Sequence, residues 1–165
     1  MLALHIPDVK SFMSMLLLRD TFDAFLLKEA DITTFVTHTI DGLLHPAFFD
    51  DASFKDDYVS WRDVKGYCYS VIKGKRTPLH FRFVFRLNRA NTEKFLSQNR
   101  LDVDPEDVAG LYLNCQFDGN RLICTTGTAL TFFSLDRVLD HLWDDMVERF
   151  FQKNKIFFVQ SCLMQ

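Results

Sequence analysis

The sequence predicts a single α+β domain over residues 1–165, with a mainly antiparallel sheet built from hairpins and covered by three or four helices. Residues 79–87 alternate between large apolar side chains and mostly basic ones, which is typical of a half-buried strand. Asp-Gly pairs at positions 41–42 and 118–119 follow strand-like segments and indicate hairpins. Residues 135–152 carry apolar side chains at helical spacing throughout, which indicates a long C-terminal helix.

The first residues predict a short strand followed by a helix. Apolar side chains at Leu2, Leu4 and Ile6 indicate a strand that Pro7 ends. Residues 9–18 then have helical spacing, and the Asp8 carboxylate can accept hydrogen bonds from the first-turn amides. Residues 22–30 are compatible with either a helix or a strand, because a short apolar cluster cannot be assigned by period alone.

A first hairpin is predicted around positions 41–42. Residues 32–40 are rich in Thr and other β-branched side chains, and residues 43–49 would form the return strand. Pro46 cannot donate a hydrogen bond to a ladder, so we expect this return strand to lie at a sheet edge or to end there.

This turn would place His38 directly opposite His45. Two imidazoles whose β-carbons lie about 5 Å apart could bind a metal ion or act as a pH-sensitive pair. A metal ion would need further ligands, for which Asp41 and Asp50 are conceivable donors. We favour the alternative, a packed or exposed cross-strand pair, and therefore predict no metal and no cofactor.

Two further helices and a helical turn are predicted in the middle of the chain. Ser60 and Asp63 have capping-box spacing ahead of apolar residues at helical spacing, and Gly74 is placed to end that helix. The polar residues at 91–92 can cap a short helix that runs to Leu96. The Asp-Pro pair at 104–105 predicts a single helical turn.

A second hairpin is predicted between residues 111–117 and 121–126. It would bring Cys115 opposite Cys124, as either a redox pair or two reduced core thiols, and we favour the second because their neighbours are apolar. The chain also contains Cys68 and Cys162, and none of the four has metal-binding spacing. The hydroxyl-rich residues 125–128 resemble a phosphate loop only superficially, and strand threonines explain them better.

The charge is unevenly distributed along the chain. Residues 62–100 contain ten Lys or Arg against two acidic residues, so this part carries +8, whereas the net charge of −3 leaves −11 for the remainder. The candidate contact surface consists of basic side chains in three places. These are the turn before the alternating segment of residues 79–87, the outer face of that segment, and the residues directly after it. The side chains are Lys73, Lys75, Arg76, His80, Arg82, Arg86 and Arg89.

We predict a binding or interaction module with no catalytic residues, whose partner is an acidic protein surface or a second copy of the chain. A nucleic-acid-binding module on the same surface is the alternative, made less favourable because the Phe side chains lie on the face opposite the arginines. A small enzyme or metal site near His38 and His45 is the other alternative. The sequence has no Ser-His-Asp, HExxH, GxGxxG or paired-carboxylate pattern, which disfavours an enzyme.

The sequence also predicts a cytosolic protein. Residues 1–10 lack the basic start and apolar stretch of an export signal, and no uncharged apolar run approaches the length of a membrane span.

Five segments, at residues 20–27, 32–35, 40–42, 72–79 and 124–128, resemble those of a family of short uncharacterised proteins from anaerobic Firmicutes. The resemblance extends over nearly the whole chain. It implies a bacterial cytosolic protein, and it implies no activity, cofactor or catalytic residue.

Overall fold

A computed structural model describes residues 1–50 and 53–160. This part of the chain contains an eight-stranded sheet with the order β3-β2-β5-β6-β7-β1-β8, and β4 pairs with β2 beside β3. All the strand pairs are antiparallel. The strands are β1 Ala3–Ile6, β2 Phe25–Thr33, β3 Thr37–Asp41, β4 Val59–Ser60, β5 His80–Leu87, β6 Val108–Phe117, β7 Leu122–Leu130 and β8 Val159–Gln160.

Four α-helices are present within the described ranges, which confirms the α+β class and the C-terminal helix. They are α1 Val9–Leu17, α2 Trp61–Ile72, α3 Arg89–Gln98 and α4 Val138–Lys153. Short 3₁₀ turns lie at Pro46–Phe48 and Pro105–Asp107. Helix α1 is capped as predicted, because the Asp8 carboxylate accepts a hydrogen bond from the Ser11 amide at 3.0 Å.

The core lies between the helices and one face of the sheet. Trp61 of α2 packs edge-to-face on Phe83 and Phe85 of β5, with ring centroids 5.4 and 5.1 Å apart. Phe150 of α4 makes the same kind of contact with Phe25 of β2 at 5.6 Å. The other face of the sheet carries most of the polar side chains of β2, β5 and β6, so it is the face on which the predicted basic residues of β5 lie.

The first predicted hairpin was wrong. The chain reverses at residues 34–36, within the segment predicted to be one strand, and β3 pairs back onto β2 with His38 opposite Ile32. Residues 43–49 form no strand, and His45 precedes the 3₁₀ turn at Pro46–Phe48. The turn that would have brought His38 and His45 together therefore does not exist.

Gly42 has a different role from the one its Asp-Gly pair suggested. It crosses the backbone of β2 so closely that a β-carbon at this position would lie 1.8 Å from the Leu27 carbonyl oxygen. Its amide donates to the carbonyl of Lys28, and its own carbonyl accepts from the Val59 amide at 2.8 Å. Glycine is required here for close approach of two backbone segments.

Two helices begin at residues other than those predicted. Helix α4 begins at Val138 because the Asp136 carboxylate accepts a hydrogen bond from the Val138 amide, and Leu135 is left 83% exposed. Helix α3 begins at Arg89, where the Asn88 side chain accepts from the Asn91 amide at 2.8 Å. In both cases a side-chain oxygen just before the helix accepts a hydrogen bond from an amide of the first turn. The spacing of apolar residues does not reveal this position.

Candidate functional site

Strand β5 has the two-sided character that its sequence predicts. Its odd-numbered residues, from Phe81 to Leu87, are buried in the core, whereas His80 is exposed and Arg82 and Arg86 are partly exposed on the other face. Leu79 departs from the pattern, since it precedes the strand and is 63% exposed.

Arg82 is held in ion pairs by the neighbouring strand. Its guanidinium donates to Glu29 at 2.9 Å and to Asp31 at 3.3 Å, and Asp31 is its direct partner in the β2–β5 register. Two carboxylates surround one guanidinium, so the face of the sheet is locally neutralised at this point. The predicted cationic face of β5 therefore has no excess positive charge around Arg82.

Arg86 and Arg89 lie toward the other end of β5 and are also engaged. The guanidinium of Arg86 lies over the ring of Tyr58 at 5.7 Å. Arg89 pairs with Glu93 at 3.2 Å and with Glu106. The hydrogen bond to Glu93, followed by the negative charge of Glu106, raises the pKa of Arg89 above its usual value.

The two arginines line a cleft of about 220 Å³ together with Lys55, Asp56, Asp57 and Glu106. Positive and negative side chains are present there in equal number. This cleft therefore has no clear preference for an anionic partner.

The remaining basic residues of the candidate surface are in the turn between α2 and β5. Lys73, Lys75 and Arg76 are all exposed. Over residues 1–50 and 53–160, their side chains have no ion pair or hydrogen bond. The end of this turn is fixed to the sheet, because the Leu79 amide donates to the Thr33 carbonyl at 2.9 Å.

The turn lies beside the tip of the β2–β3 hairpin. The two segments enclose an open cleft of about 450 Å³ in which Phe35 and Leu79 accompany the basic side chains, above the last residues of α2. Phe35 is 93% exposed. We call this surface the basic cleft and define it by Phe35, Lys73, Lys75, Arg76 and Leu79.

Sequence reasoning missed Phe35 as part of the site. Residues 32–40 were expected to form one strand, which would have placed Phe35 within a ladder, whereas the chain reverses at this residue. The sequence offers no signal for this hairpin tip, because residues 34–36 contain no Gly, Asn, Asp or Pro.

The other candidate residues do not converge. His38 faces Ile32, and His45 is in the following coil. No cluster of three or more His, Cys, Asp or Glu suited to a metal ion occurs in the described ranges.

The three cysteines within the described residues are deeply buried. Cys115 and Cys124 face each other with their Sγ atoms 3.4 Å apart, and both are fully buried in the core. Burial raises the pKa of Cys124 well above its ordinary value and raises the pKa of Cys68 to about 12. In Cys68 and Cys124, burial therefore disfavours the thiolate, which is the reactive form of cysteine. Cys162 lies outside the described residues.

The threonines of residues 125–128 belong to β7, as strand threonines were expected to. Thr126 is buried, accepts a hydrogen bond from the Leu2 amide at 2.9 Å and donates to Asp144 of α4 at 2.5 Å. Thr128 donates to Asp140 of the same helix. These hydroxyls join β7 to α4 and do not form a phosphate loop.

In the part of the chain that the structure describes, the helices are too short or too polar for a membrane span. Comparison with curated proteins and with solved structures finds no match. Residues 15–159 match the model of a family of unknown function, DUF5721. The chain therefore belongs to this family of unknown function, DUF5721.

Proposed function

We propose that this protein is a binding module with no catalytic role, and that its contact surface is the basic cleft. The observation that carries the proposal is the exposed ring of Phe35 beside three cations that have no ionic partner among the described residues. Phe35 and Leu79 are both exposed in the same cleft, and exposed apolar side chains that lie together, bordered by charged residues, are typical of a docking surface. The partner we propose is an acidic protein segment with an apolar anchor.

The charges of the cleft favour this partner. Residues 73–80 contain three Lys or Arg and no acidic residue. Arg82, Arg86 and Arg89 are left out of the proposed surface because carboxylates or an aromatic ring already engage them. His80 directly follows Leu79 of the cleft and is exposed.

Phe35 also supports a second candidate, the binding of single-stranded nucleic acid. Its ring provides the stacking surface that the core Phe residues of β5 cannot. Single-strand binding generally uses several aromatic side chains along a basic groove, and the cleft has one. Leu79 and the apolar end of α2 better suit an aliphatic protein anchor, so we place the acidic protein segment first.

The resemblance to proteins of anaerobic Firmicutes supports a bacterial cytosolic setting, which we include in the proposal. In that compartment the thiols of Cys115 and Cys124 would stay reduced.

The test is titration of fluorescein-labelled peptides followed by anisotropy. One peptide contains alternating Glu and Leu with a single Phe, and a second has the same charge with Ser in place of the apolar residues. We expect the first to bind, and Lys75→Glu with Arg76→Glu to weaken it at least about tenfold, because two attractive charges become repulsive. Phe35→Ser should weaken the apolar peptide and leave the Ser peptide unchanged.

Lys10→Glu with Lys153→Glu is the matched control, since both side chains are exposed and neither lines the cleft. This pair changes the net charge equally and should alter the affinity by less than about twofold. Equal loss in the control pair would show that only net charge matters and would contradict the proposal. Preference for oligo(dT) over the apolar peptide, lost with Phe35→Ser, would establish the nucleic-acid candidate instead.

A further inference from the structure

A second exposed apolar surface follows β7. In the loop that joins β7 to α4, Phe133 is 87% exposed, Leu135 is 83% exposed and Phe132 is half exposed. The loop starts beside the 3₁₀ turn at Pro105–Asp107, because the Thr131 amide donates to the Asp107 carbonyl at 2.9 Å. The loop that carries these apolar side chains therefore begins next to an acidic segment.

The charge of this surface is opposite to that of the basic cleft. Residues 100–107 and 131–137 contain five acidic residues and two arginines. Arg89 approaches from α3, where Glu93 and Glu106 bind it. We call this surface the acidic end and define it by Asp102, Asp104, Phe132, Phe133 and Leu135.

The two surfaces lie at opposite ends of the sheet. Thr33 pairs with His80 at one end, next to the basic cleft, and Phe81 pairs with Phe117 nearby. At the other end Val108 pairs with Leu130, directly before the exposed loop. Strand β6 has ten residues between these ends, which corresponds to roughly 30 Å at the usual rise per residue. One molecule cannot bring its own two surfaces together.

We propose that the acidic protein segment bound by the basic cleft is the acidic end of a second copy of this chain. This inference rests on the proposed function of the cleft and names its partner. One copy would supply the exposed Phe35 and Leu79 and three cations that have no ionic partner within residues 1–50 and 53–160. The next copy would supply an excess of carboxylates and the exposed Phe133 and Leu135. The basic cleft is positively charged, the acidic end carries a net negative charge, and both expose apolar side chains, so the two surfaces are complementary.

The position of the two surfaces determines the kind of assembly. Two different patches meet in each contact, so the interface is heterologous and leaves one free cleft and one free acidic end on every complex. Copies can therefore add one after another in a row. Each surface exposes only two or three large apolar side chains, which is fewer than a stable interface of standard size contains. We therefore expect the association to be transient and concentration-dependent.

Sedimentation velocity of the whole chain over a range of concentrations tests the inference. We expect the weight-average sedimentation coefficient of the wild type to rise with concentration and to fall back when NaCl is raised, because salt screens the exposed charges. Variant one carries Lys75→Glu and Arg76→Glu, and variant two carries Asp102→Lys and Phe133→Ser. Each variant has one intact surface, so each alone should remain monomeric.

An equimolar mixture of the two variants is the decisive measurement. The intact cleft of variant two can bind the intact acidic end of variant one, so the mixture should form a dimer and nothing larger. A wild type that stays monomeric, either variant assembling like the wild type, or a mixture that stays monomeric would overturn the inference. Circular dichroism checks that both variants are folded, and Phe35→Ser replaces variant one if it is not.

The proposed function is tested separately in the same molecules. Variant two keeps the basic cleft and should bind the Glu-Leu-Phe peptide as the wild type does. Peptide binding by a wild type that never self-associates would leave the proposed function standing and remove the second copy as its partner. Self-association that persists in variant one would show that copies meet elsewhere and remove the cleft from the contact.

Discussion

Substitution of Gly42 tests the corrected path of the chain between β3 and β4. A β-carbon at this position would lie 1.8 Å from the Leu27 carbonyl oxygen and 2.8 Å from its carbon, so one of two backbone segments must move. Movement would also stretch the hydrogen bonds of the Gly42 amide to Lys28 and of the Val59 amide to Gly42, 2.9 and 2.8 Å long.

The expected cost of Gly42→Ala combines these effects. Forcing a methyl group into a packed site typically costs about 1–3 kcal/mol, and each weakened backbone hydrogen bond adds about 1 kcal/mol. We therefore expect the free energy of unfolding to fall by about 2–4 kcal/mol, measured by urea denaturation. The melting temperature should fall by roughly 2–4 °C for each kcal/mol in a chain of this size.

Gly66→Ala is the matched control. Gly66 lies inside α2 and has no atom within 4 Å of its would-be β-carbon, so alanine should stabilise the protein by about 0.5–1 kcal/mol through its helix propensity. Gly42→Asn tests whether position 42 needs glycine for a type I′ turn or for the close approach of two backbone segments. Asn is accepted in a type I′ turn but carries a β-carbon, so close approach predicts a loss at least as large as that of Ala. A loss below about 0.5 kcal/mol for either Gly42 variant would refute this reasoning.

Three further predictions concern the strand face and the core. Arg82→Met should leave peptide affinity for the basic cleft within about twofold and change stability by less than about 1 kcal/mol in urea titrations, because the guanidinium is partly exposed and already paired. The contribution of Cys68 to the free energy of unfolding should be constant below about pH 9 and fall at higher pH, because burial raises the pKa of this thiol from 9.0 to about 12 and the unfolded chain loses the thiol proton first. Urea titrations between pH 7.5 and 10.5 should show a shallower decline in Cys68→Ala. Thr126→Val should lower stability by about 1–3 kcal/mol in urea, since it leaves the Leu2 amide buried without its acceptor, whereas Thr125→Val on the opposite face of the same strand should have little effect.

Elements with an uninterrupted pattern could be predicted from the sequence. Strand β5 alternates without a break and was located to within one residue at its start. The hairpin of β6 and β7 could be predicted from the Asp-Gly pair at 118–119, because the turn is stabilised locally. The Asp118 carboxylate accepts hydrogen bonds from the amides of Asn120 and Arg121 at 2.8 and 2.7 Å. In both cases the information lies within a few residues of the element that it determines.

Strand β2 could not be recognised from the sequence, and the structure gives the physical reason. Its register shifts between Leu27 and Glu29, so a bulge breaks the alternation that identifies a strand. Leu27 and Ala30 are therefore both buried in the core although they are three residues apart. Because β2 was not recognised, the turn at residues 34–36 could not be located. The residues on both sides of this turn were therefore predicted to form one strand.

Pairing with β2 also determines which basic residues keep a positive charge that no neighbouring carboxylate compensates. A cation on β5 has ladder neighbours on both sides, and β2 supplies Glu29 and Asp31 to Arg82. Lys73, Lys75 and Arg76 precede the first paired residue of β5, so no neighbouring strand faces their charges. Attraction of an anionic partner depends on charge that the fold leaves uncompensated, and strand pairing compensates β5 but not the turn before it. The surface that we propose for binding therefore lies before the first residue of the β5 ladder, beside a hairpin tip that exposes Phe35.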